Sequence, residues 1–527
     1  MASSFRPHHY RSMFFTAWGT LGSRVLGLVR DQLITFFFGG GMVASALLFA
    51  LQIPNLFRRL LGEGALTAAV VPVMTDEHKR AGRPAAFRFL NQVLLRAALF
   101  MAALTLVAVL AAWGVSQLGF IEERYRLSAY LITLCMPYMP LVCLAAMFTA
   151  ALNVLGRFGV TSLSAVWLNI SMIGSLCAGG FFFVGGDLVQ IAVWACIGAI
   201  LGGVAQLLIP AWALWREGWR PRWAPEHSPA LQQLQVVFLP ALAGAGIQQI
   251  NFFVSRFLAL NVDDRSLTVY YLANRIVELP IGLFAITVAT VIFPALAMHA
   301  ARGERVEMGA NFAHGMRLIF AINIPAAAGL IALDAPIVHL LFEHGKFTAA
   351  DTQATLPVLW IFAVAMPFYG AIALMGRALN AIKETQVQAK LAGWVFLLNI
   401  VLSPLLAWFY QAPGLAVANL VAAVFQCARL YSLLKKNGVE FVQEPLLKPL
   451  VQCLGVSLLM GVFAWGAWRF CGTPAAVWLA EHGTGKFGEG LVLGGIIVFA
   501  ALLCFALLAL LRYPEYAFLR EKILRRK

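Results

Sequence analysis

Along the chain, apolar stretches of about 20 residues or more alternate with short punctuation by glycine, proline or clustered charge. This pattern predicts membrane-crossing helices and almost nothing else. The runs fall near 12–37, 42–61, 86–118, 128–152, 160–184, 188–214, 233–260, 267–297, 312–332, 354–380, 389–410, 413–435, 447–470 and 489–512, fourteen in all. An even count places both termini on one side of the bilayer. The first run contains Arg24, Arg30 and Asp31, so it lacks the clean apolar stretch of a cleavable signal and is expected to stay as a helix.

Composition narrows the class further. Of 527 residues, 61% are hydrophobic and 12% charged, with a mean hydropathy of +0.81, which excludes both a soluble enzyme and a disordered chain. Lys and Arg number 39 against 24 Asp and Glu, a net charge of +15. In a soluble protein that excess would suggest nucleic acid, but here its placement follows the positive-inside rule. With the N-terminus inside, cytoplasmic segments hold about 26 of the Lys and Arg residues, among them Lys79, Arg80, Arg83, Arg216, Arg220, Arg222, Arg302, Arg305, Lys435, Lys436 and the tail Arg525-Arg526-Lys527. Only Arg124, Arg126, Arg265, Lys346, Arg469 and Lys486 fall on the other side. Both termini are therefore expected in the cytoplasm, and no nucleic acid partner is needed. The eight cysteines, at 135, 143, 177, 196, 427, 453, 471 and 504, form no C-x-x-C pair and read as small buried hydrophobes.

The chain also repeats itself. Pro140 to Asn153 (PLVCLAAMFTAALN) aligns with Pro367 to Asn380 (PFYGAIALMGRALN) at a shift of 227 residues, and Leu168-Asn169-Ile170 aligns with Leu398-Asn399-Ile400. Two related six-helix units follow, 1–225 and 226–440, with two extra helices in 441–527. Six is even, so the halves share one orientation, and a substrate site is expected between them. Chance likeness of Ala/Leu-rich helices is the alternative.

Seven arginines remain inside or at the ends of the runs: Arg24, Arg30, Arg58, Arg59, Arg96, Arg256 and Arg275. A cation at mid-bilayer costs about 2.5–3.5 kcal/mol, so such residues face protein or water. Local pairing is available for Arg30 with Asp31, Arg59 with Glu63 and Arg275 with Glu278, and long side chains can snorkel to the headgroups. Pairing or snorkelling is the expectation for Arg59, Arg96 and Arg256. For Arg24, Arg30, Arg58 and Arg275 the acids within reach are too few, and a shared anion-binding cavity is expected. Guanidinium forks suit phosphate, and a cluster of them suits a diphosphate. At a shift of 224, Arg24 falls on Gln248 and Arg30 on Val254, so the cationic pair belongs to the first half alone.

At these residues the chain resembles the lipid II flippase family (MurJ, formerly MviN) of the multidrug/oligosaccharidyl-lipid/polysaccharide exporter superfamily. The likeness rests on S-R-x-x-G-x-x-R-D at Ser23 to Asp31, P-N-x-x-R-R-x-x-x-E-G at Pro54 to Gly64, Tyr270-Tyr271 with Asn274-Arg275 and Glu278, and His344-Gly345-Lys346-Phe347-Thr348. The resemblance implies an all-α integral membrane fold of fourteen transmembrane helices. In it, two pseudo-symmetric six-helix lobes surround a central cationic cavity, and the last two helices form a groove for the lipid tail. It implies transport of lipid II, the undecaprenyl-diphosphate-linked peptidoglycan precursor, from the cytoplasmic to the periplasmic leaflet of the bacterial inner membrane, in the service of cell wall biogenesis and cell shape. Arg24, Arg30, Arg58 and Arg275, with Ser23 and Asn55, would bind substrate, while Asp31, Arg59, Glu63, Asn274 and Glu278 would pair charges or gate. Where similar proteobacterial members carry an acid, a lysine and an aspartate, this chain has Ser45, Gln52 and Asn274.

These features predict a transporter working by alternating access, with no cofactor and no metal, in contact with membrane lipids and the cell-wall synthesis machinery. The driving force is left open between a coupling ion and the membrane potential. Pro54, Pro280 and the glycines at 39–41 are candidate hinges. Competing readings are an exporter of drugs or of another lipid-linked oligosaccharide, an enzyme acting on polyprenyl-diphosphate sugars, and a non-transporting scaffold. The enzyme reading would have to use His339, Glu343, His344 and Asp351, whose spacing matches no metal motif, or Gly483 to Lys486, which only imitates a phosphate loop.

Overall fold

The computed structural model describes residues 7–157, 163–183, 185–439, 446–483 and 485–515; the basic tail lies outside them. The described chain is all-helical, with no strand. It divides into two compact units, residues 1–260 with 344–347, and residues 261–343 with 348–527. The first unit holds α1 (Pro7–Phe38), α2 (Met42–Phe57), α3 (Thr67–Ser116), α4 (Glu123–Cys135), α5 (Tyr138–Val154), α6 (Ser164–Cys177), α7 (Leu188–Arg216) and nearly all of α8 (Pro229–Val262). The second holds α9 (Ser266–Pro280), α10 (Ile286–Arg302), α11 (Arg305–Ala332), α12 (Asp334–Phe342), α13 (Ala349–Ala381), α14 (Thr385–Lys436), α15 (Leu447–Ala467), α16 (Thr473–Glu481) and α17 (Gly485–Leu510).

Nine helices among the described residues are long and apolar enough to cross a membrane, or ten if the pair α4 and α5, bent by 44°, makes one crossing. Two of them are much longer than a crossing of about 30 Å needs, and both break in mid-course. The 75-residue stretch Met42–Ser116 turns at Ala81 (φ −135°) and Gly82 (φ 75°). The 52-residue α14 breaks at Gln411 (φ 53°, ψ −134°), two residues before Pro413. Proline has no N–H to donate and its ring collides with the preceding turn, so the ladder is released there. Trp408, Phe409 and Tyr410 are all strongly exposed just before that break.

Prolines also mark the candidate hinges. Pro54 lies in the last turn of α2 and is followed by a π-helical segment, Arg58–Leu66. Pro280 ends α9 and is followed by another, Ile281–Ala285. Widened turns of this kind are frequent at functional positions, and both directly adjoin a predicted site motif.

The first unit packs Leu61, Leu90, Met139, Tyr138 and Trp219 into one core. Helices α6 and α7 approach so closely that a Cβ on Gly202 would stand 2.8 Å from the Cα of Leu168, the small-residue contact typical of membrane helices. Residues His344 to Phe347 pack with this unit: Lys346 N–H donates to Phe36 O at 2.9 Å. Gly39, at φ +64°, has Lys346 O only 2.6 Å from where a Cβ would be, so only glycine fits that turn.

In the second unit α11 packs against α13 and α15. After α17, Arg512 at φ 50° turns the chain back. Tyr513 is fully buried and its hydroxyl donates to Arg317 O at 2.7 Å, while the buried Glu515 carboxylate accepts from Arg317 and pairs with His314. Among the cysteines, Cys135, Cys143, Cys196, Cys453 and Cys504 are buried and Cys177 and Cys427 partly so, but Cys471 is exposed. Its place in the π-helical segment Trp468–Gly472 turns it outward, against the expectation from its apolar neighbourhood.

Candidate functional site

In the first unit, α1 and α6 share one polar chain of contacts. The Arg30 guanidinium is 2.7 Å from the Asp31 carboxylate, which is buried to 1% exposure. Arg30 also donates to Asn169 Oδ1 at 3.2 Å, and Asn169 Nδ2 donates to Ser23 O at 3.0 Å. Asn169, buried on α6, thus connects two predicted site residues, and was not singled out as one of them. A signal existed, because a polar residue between Leu and Ile recurs at Asn399. Arg24 is half-buried on the same helix.

On α2, Asn55 Nδ2 donates to Leu51 O at 2.8 Å, and Arg58 Nε donates to Asn55 Oδ1 at 3.2 Å. The widened backbone after Pro54 carries Arg58 to a cavity of about 370 Å³, which Ser23 also lines. The sequence motifs on α1 and α2 therefore meet at one place. Arg59 is exposed, with its guanidinium 5.4 Å from the Phe252 ring centre. The side chain of Glu63, its expected partner, lies outside the described residues.

In the second unit, Arg275 lies 3.6 Å from Glu278, and Asn274 Nδ2 donates to the same carboxylate at 2.9 Å. Local pairing is therefore realised for both Arg30, with Asp31, and Arg275, with Glu278. The other expected structural arginines are stabilised differently. Arg96 is held by carbonyls, donating to Pro225 O at 2.8 Å and Glu226 O at 2.9 Å. Arg256 is buried on α8, where it donates to Gln52 Oε1 and stands 4.1 Å from the Phe252 ring centre. Gln52 is the position at which the resemblance leads one to expect lysine, so a cation arrives at it from α8 instead. Arg317 joins the seven arginines counted in the helices, since it too is buried within α11.

Three of the residues weighed for an enzyme, Asp351, Glu343 and His339, have structural partners. Asp351 closes a capping box with Thr348 at the start of α13. Glu343 accepts from Thr352 Oγ1 at 2.6 Å, and His339 Nδ1 meets Glu489 at 2.9 Å.

A second cavity in this unit is of opposite character. A groove of about 810 Å³ runs between α11, α13 and α15, walled by Phe320, Ile324, Phe368, Leu454, Leu458 and Trp465. Gly461 opens it, being 3.6 Å from Ala328 O at its Cβ position.

A family model described as "Lipid II flippase MurJ" matches residues 34–479, most of the chain, including Asn55, Arg58 and Arg275 but not the Ser23–Asp31 motif on α1. The chain belongs to the MurJ lipid II flippase family. It is 32% identical over 434 residues to the probable lipid II flippase MurJ of Vibrio cholerae serotype O1, covering 80% of this chain and 82% of that protein. Among solved structures it resembles a lipid II flippase MurJ in an inward closed conformation (TM-score 0.75, 23% identity, 97% of this chain and 100% of that one). It also resembles an inward-facing multidrug resistance MATE family transporter (TM-score 0.64, 16% identity, 79% and 96%). The two structural likenesses show the fold, that of MurJ and MATE-type proteins, and membership of the MurJ family makes the chain a multi-pass membrane transporter rather than an enzyme.

Proposed function

We propose that this chain is a lipid II flippase that holds the substrate diphosphate on Arg24, Arg30, Arg58 and Arg275, with Ser23 and Asn55 beside them. The observation that carries the site assignment is Arg58 opening, together with Ser23, on a polar cavity within an apolar helical unit. A guanidinium kept there at the cost of desolvation is suited to a phosphate. Asp31, Arg59, Glu63, Asn274 and Glu278 exchange partners with the arginines as substrate enters and leaves. Arg30–Asp31 and Arg275–Glu278 are then the contacts the diphosphate displaces, and their return resets the site during alternating access. The apolar groove beside α15 takes the undecaprenyl tail.

Fourteen crossings fit this function. The two broken long helices supply two crossings each, and α1 and α8, with 32 and 34 residues, add two beyond the ten. On that count the chain forms two six-helix lobes, 1–225 and 226–440, around the cationic site, followed by 441–527. Both termini then face the cytoplasm from the inner membrane, where cell-wall synthesis machinery supplies and consumes the substrate.

The test is depletion of the protein in its host with an assay of lipid-linked precursor exposed on the outer leaflet, in a host without a redundant flippase. Exposure should fall, and Arg24→Ala, Arg30→Ala and Arg275→Ala should not restore it. Unchanged exposure sinks the flippase reading; full complementation by all three variants sinks the arginine site alone.

A further inference from the structure

The cavity at Arg58 is more than a mouth for one guanidinium. It runs between α1, the Arg58–Leu66 segment, α5, α6 and α7. Its α5 wall is a single stripe at helical spacing, Ala145, Ala146, Thr149, Ala150 and Asn153. The alanines leave the space. At the head of the same helix, Tyr138 OH donates to Gln206 Oε1 of α7 at 3.2 Å, and Gln206 Nε2 donates to Ser164 O of α6 at 2.9 Å. The Asn153 side-chain oxygen is buried and has no hydrogen-bond partner among the described residues. Apart from Arg58 the lining carries no charge.

The internal repeat shows that this space is not a by-product of the fold. At the shift of 227, Thr149 and Ala150 fall on Gly376 and Arg377. At Gly376 the amide nitrogen of Gln388 stands 2.9 Å from where a Cβ would be, and a long side chain occupies position 377. The second unit therefore brings Gln388 and Arg377, two long side chains, to the positions that Thr149 and Ala150 keep small in the first.

A hollow lined by hydroxyls and amides is not a dry void. At about 30 Å³ per water it has room for about a dozen waters, more volume than one sugar ring displaces. In a glycosyl diphosphate the ring is bonded directly to the phosphate, so it must lie beside whichever guanidinium holds that phosphate. We propose that this cavity is the subsite for the first sugar of the lipid-linked substrate. Arg58 takes the phosphate side, and Thr149 and Asn153 hydrogen-bond the ring's hydroxyl and amide groups. This rests on the flippase reading and adds to it a place where the headgroup, and not only its charge, is recognised.

The full-length protein in detergent tests this with two probes, lipid II and undecaprenyl diphosphate, whose Kd values are measured by native mass spectrometry. Thr149→Val and Asn153→Leu keep side-chain volume while removing hydrogen bonds, and Ala146→Leu fills the space. Each should weaken lipid II by about tenfold, the order expected when a site built for a hydroxyl or amide loses its partner, and leave undecaprenyl diphosphate within about twofold. An unchanged ratio of the two affinities, whether both weaken together or neither moves, overturns the subsite. Failure of the unsubstituted protein to bind lipid II at all would instead remove the flippase reading, and the subsite with it.

Discussion

Arg256 on α8 donates to the side-chain oxygen of Gln52 on α2, across 204 positions of sequence, and both are buried. The guanidinium also stands over the Phe252 ring, so a neutral amide and an aromatic ring both contribute to stabilising this buried cation.

Removing one partner of such a contact costs more than removing both. Gln52→Leu should destabilise the protein by about 2–4 kcal/mol, and Gln52→Leu with Arg256→Leu by less. Thermal unfolding in detergent reports both values, and simple additivity of the two single substitutions would contradict a direct coupling.

Asn169 on α6 makes two bonds to α1, accepting from Arg30 and donating to Ser23 O. Asn169→Leu keeps the size but breaks both bonds, and should lower stability by about 1–3 kcal/mol together with a loss of precursor exposure on the outer leaflet. Wild-type exposure with that variant would separate Asn169 from the site.

The groove beside α15 predicts the reverse of the sugar subsite. Gly461→Leu places a side chain in the apolar space and should weaken lipid II and undecaprenyl diphosphate to the same extent, because both carry the same tail. A variant that weakened lipid II alone would show that the tail lies elsewhere.

Glu515 gives a pH dependence. Burial pushes its carboxyl up, but hydrogen bonds from His314 and Arg317 and their charges outweigh burial and hold it below the ordinary value of 4.5. A depressed pKa contributes stability that is complete above the unfolded-state value and is lost as pH falls through the folded one. The melting temperature of the unsubstituted protein should therefore drop by more than that of Glu515→Gln as pH falls from about 5 to about 3. Equal drops would exclude the carboxylate as their source.

The helices were legible because apolar length and proline punctuation are local properties of the chain. The arginine motifs on α1, α2 and α9 were legible for the same reason, each being a short pattern on one helix. Asn169 with Arg30, Arg256 with Gln52 and Arg317 with Glu515 were not, since their partners lie 139, 204 and 198 residues apart. Hydropathy tells such a residue only that it needs a partner. Arg256 and Arg96 also found amides and carbonyls where acids were the obvious search, and a neutral acceptor leaves no mark in a charge tally.

The exposed Trp408-Phe409-Tyr410 at the break of α14 acts as a depth gauge, because amphipathic rings settle where hydrocarbon gives way to headgroups. Measured back along the helix from Trp408, Asn399 lies about 13 Å deeper, close to the middle of the bilayer. There Asn399 Nδ2 donates to Asn419 Oδ1 at 3.3 Å, Ser403 donates to Asn399 at 2.7 Å, and Asn419 Nδ2 donates to Tyr270 OH at 3.0 Å. The parts of α14 before and after the break at Gln411 are thus fastened to each other and to α9 by neutral bonds, which salt screens far less than ion pairs.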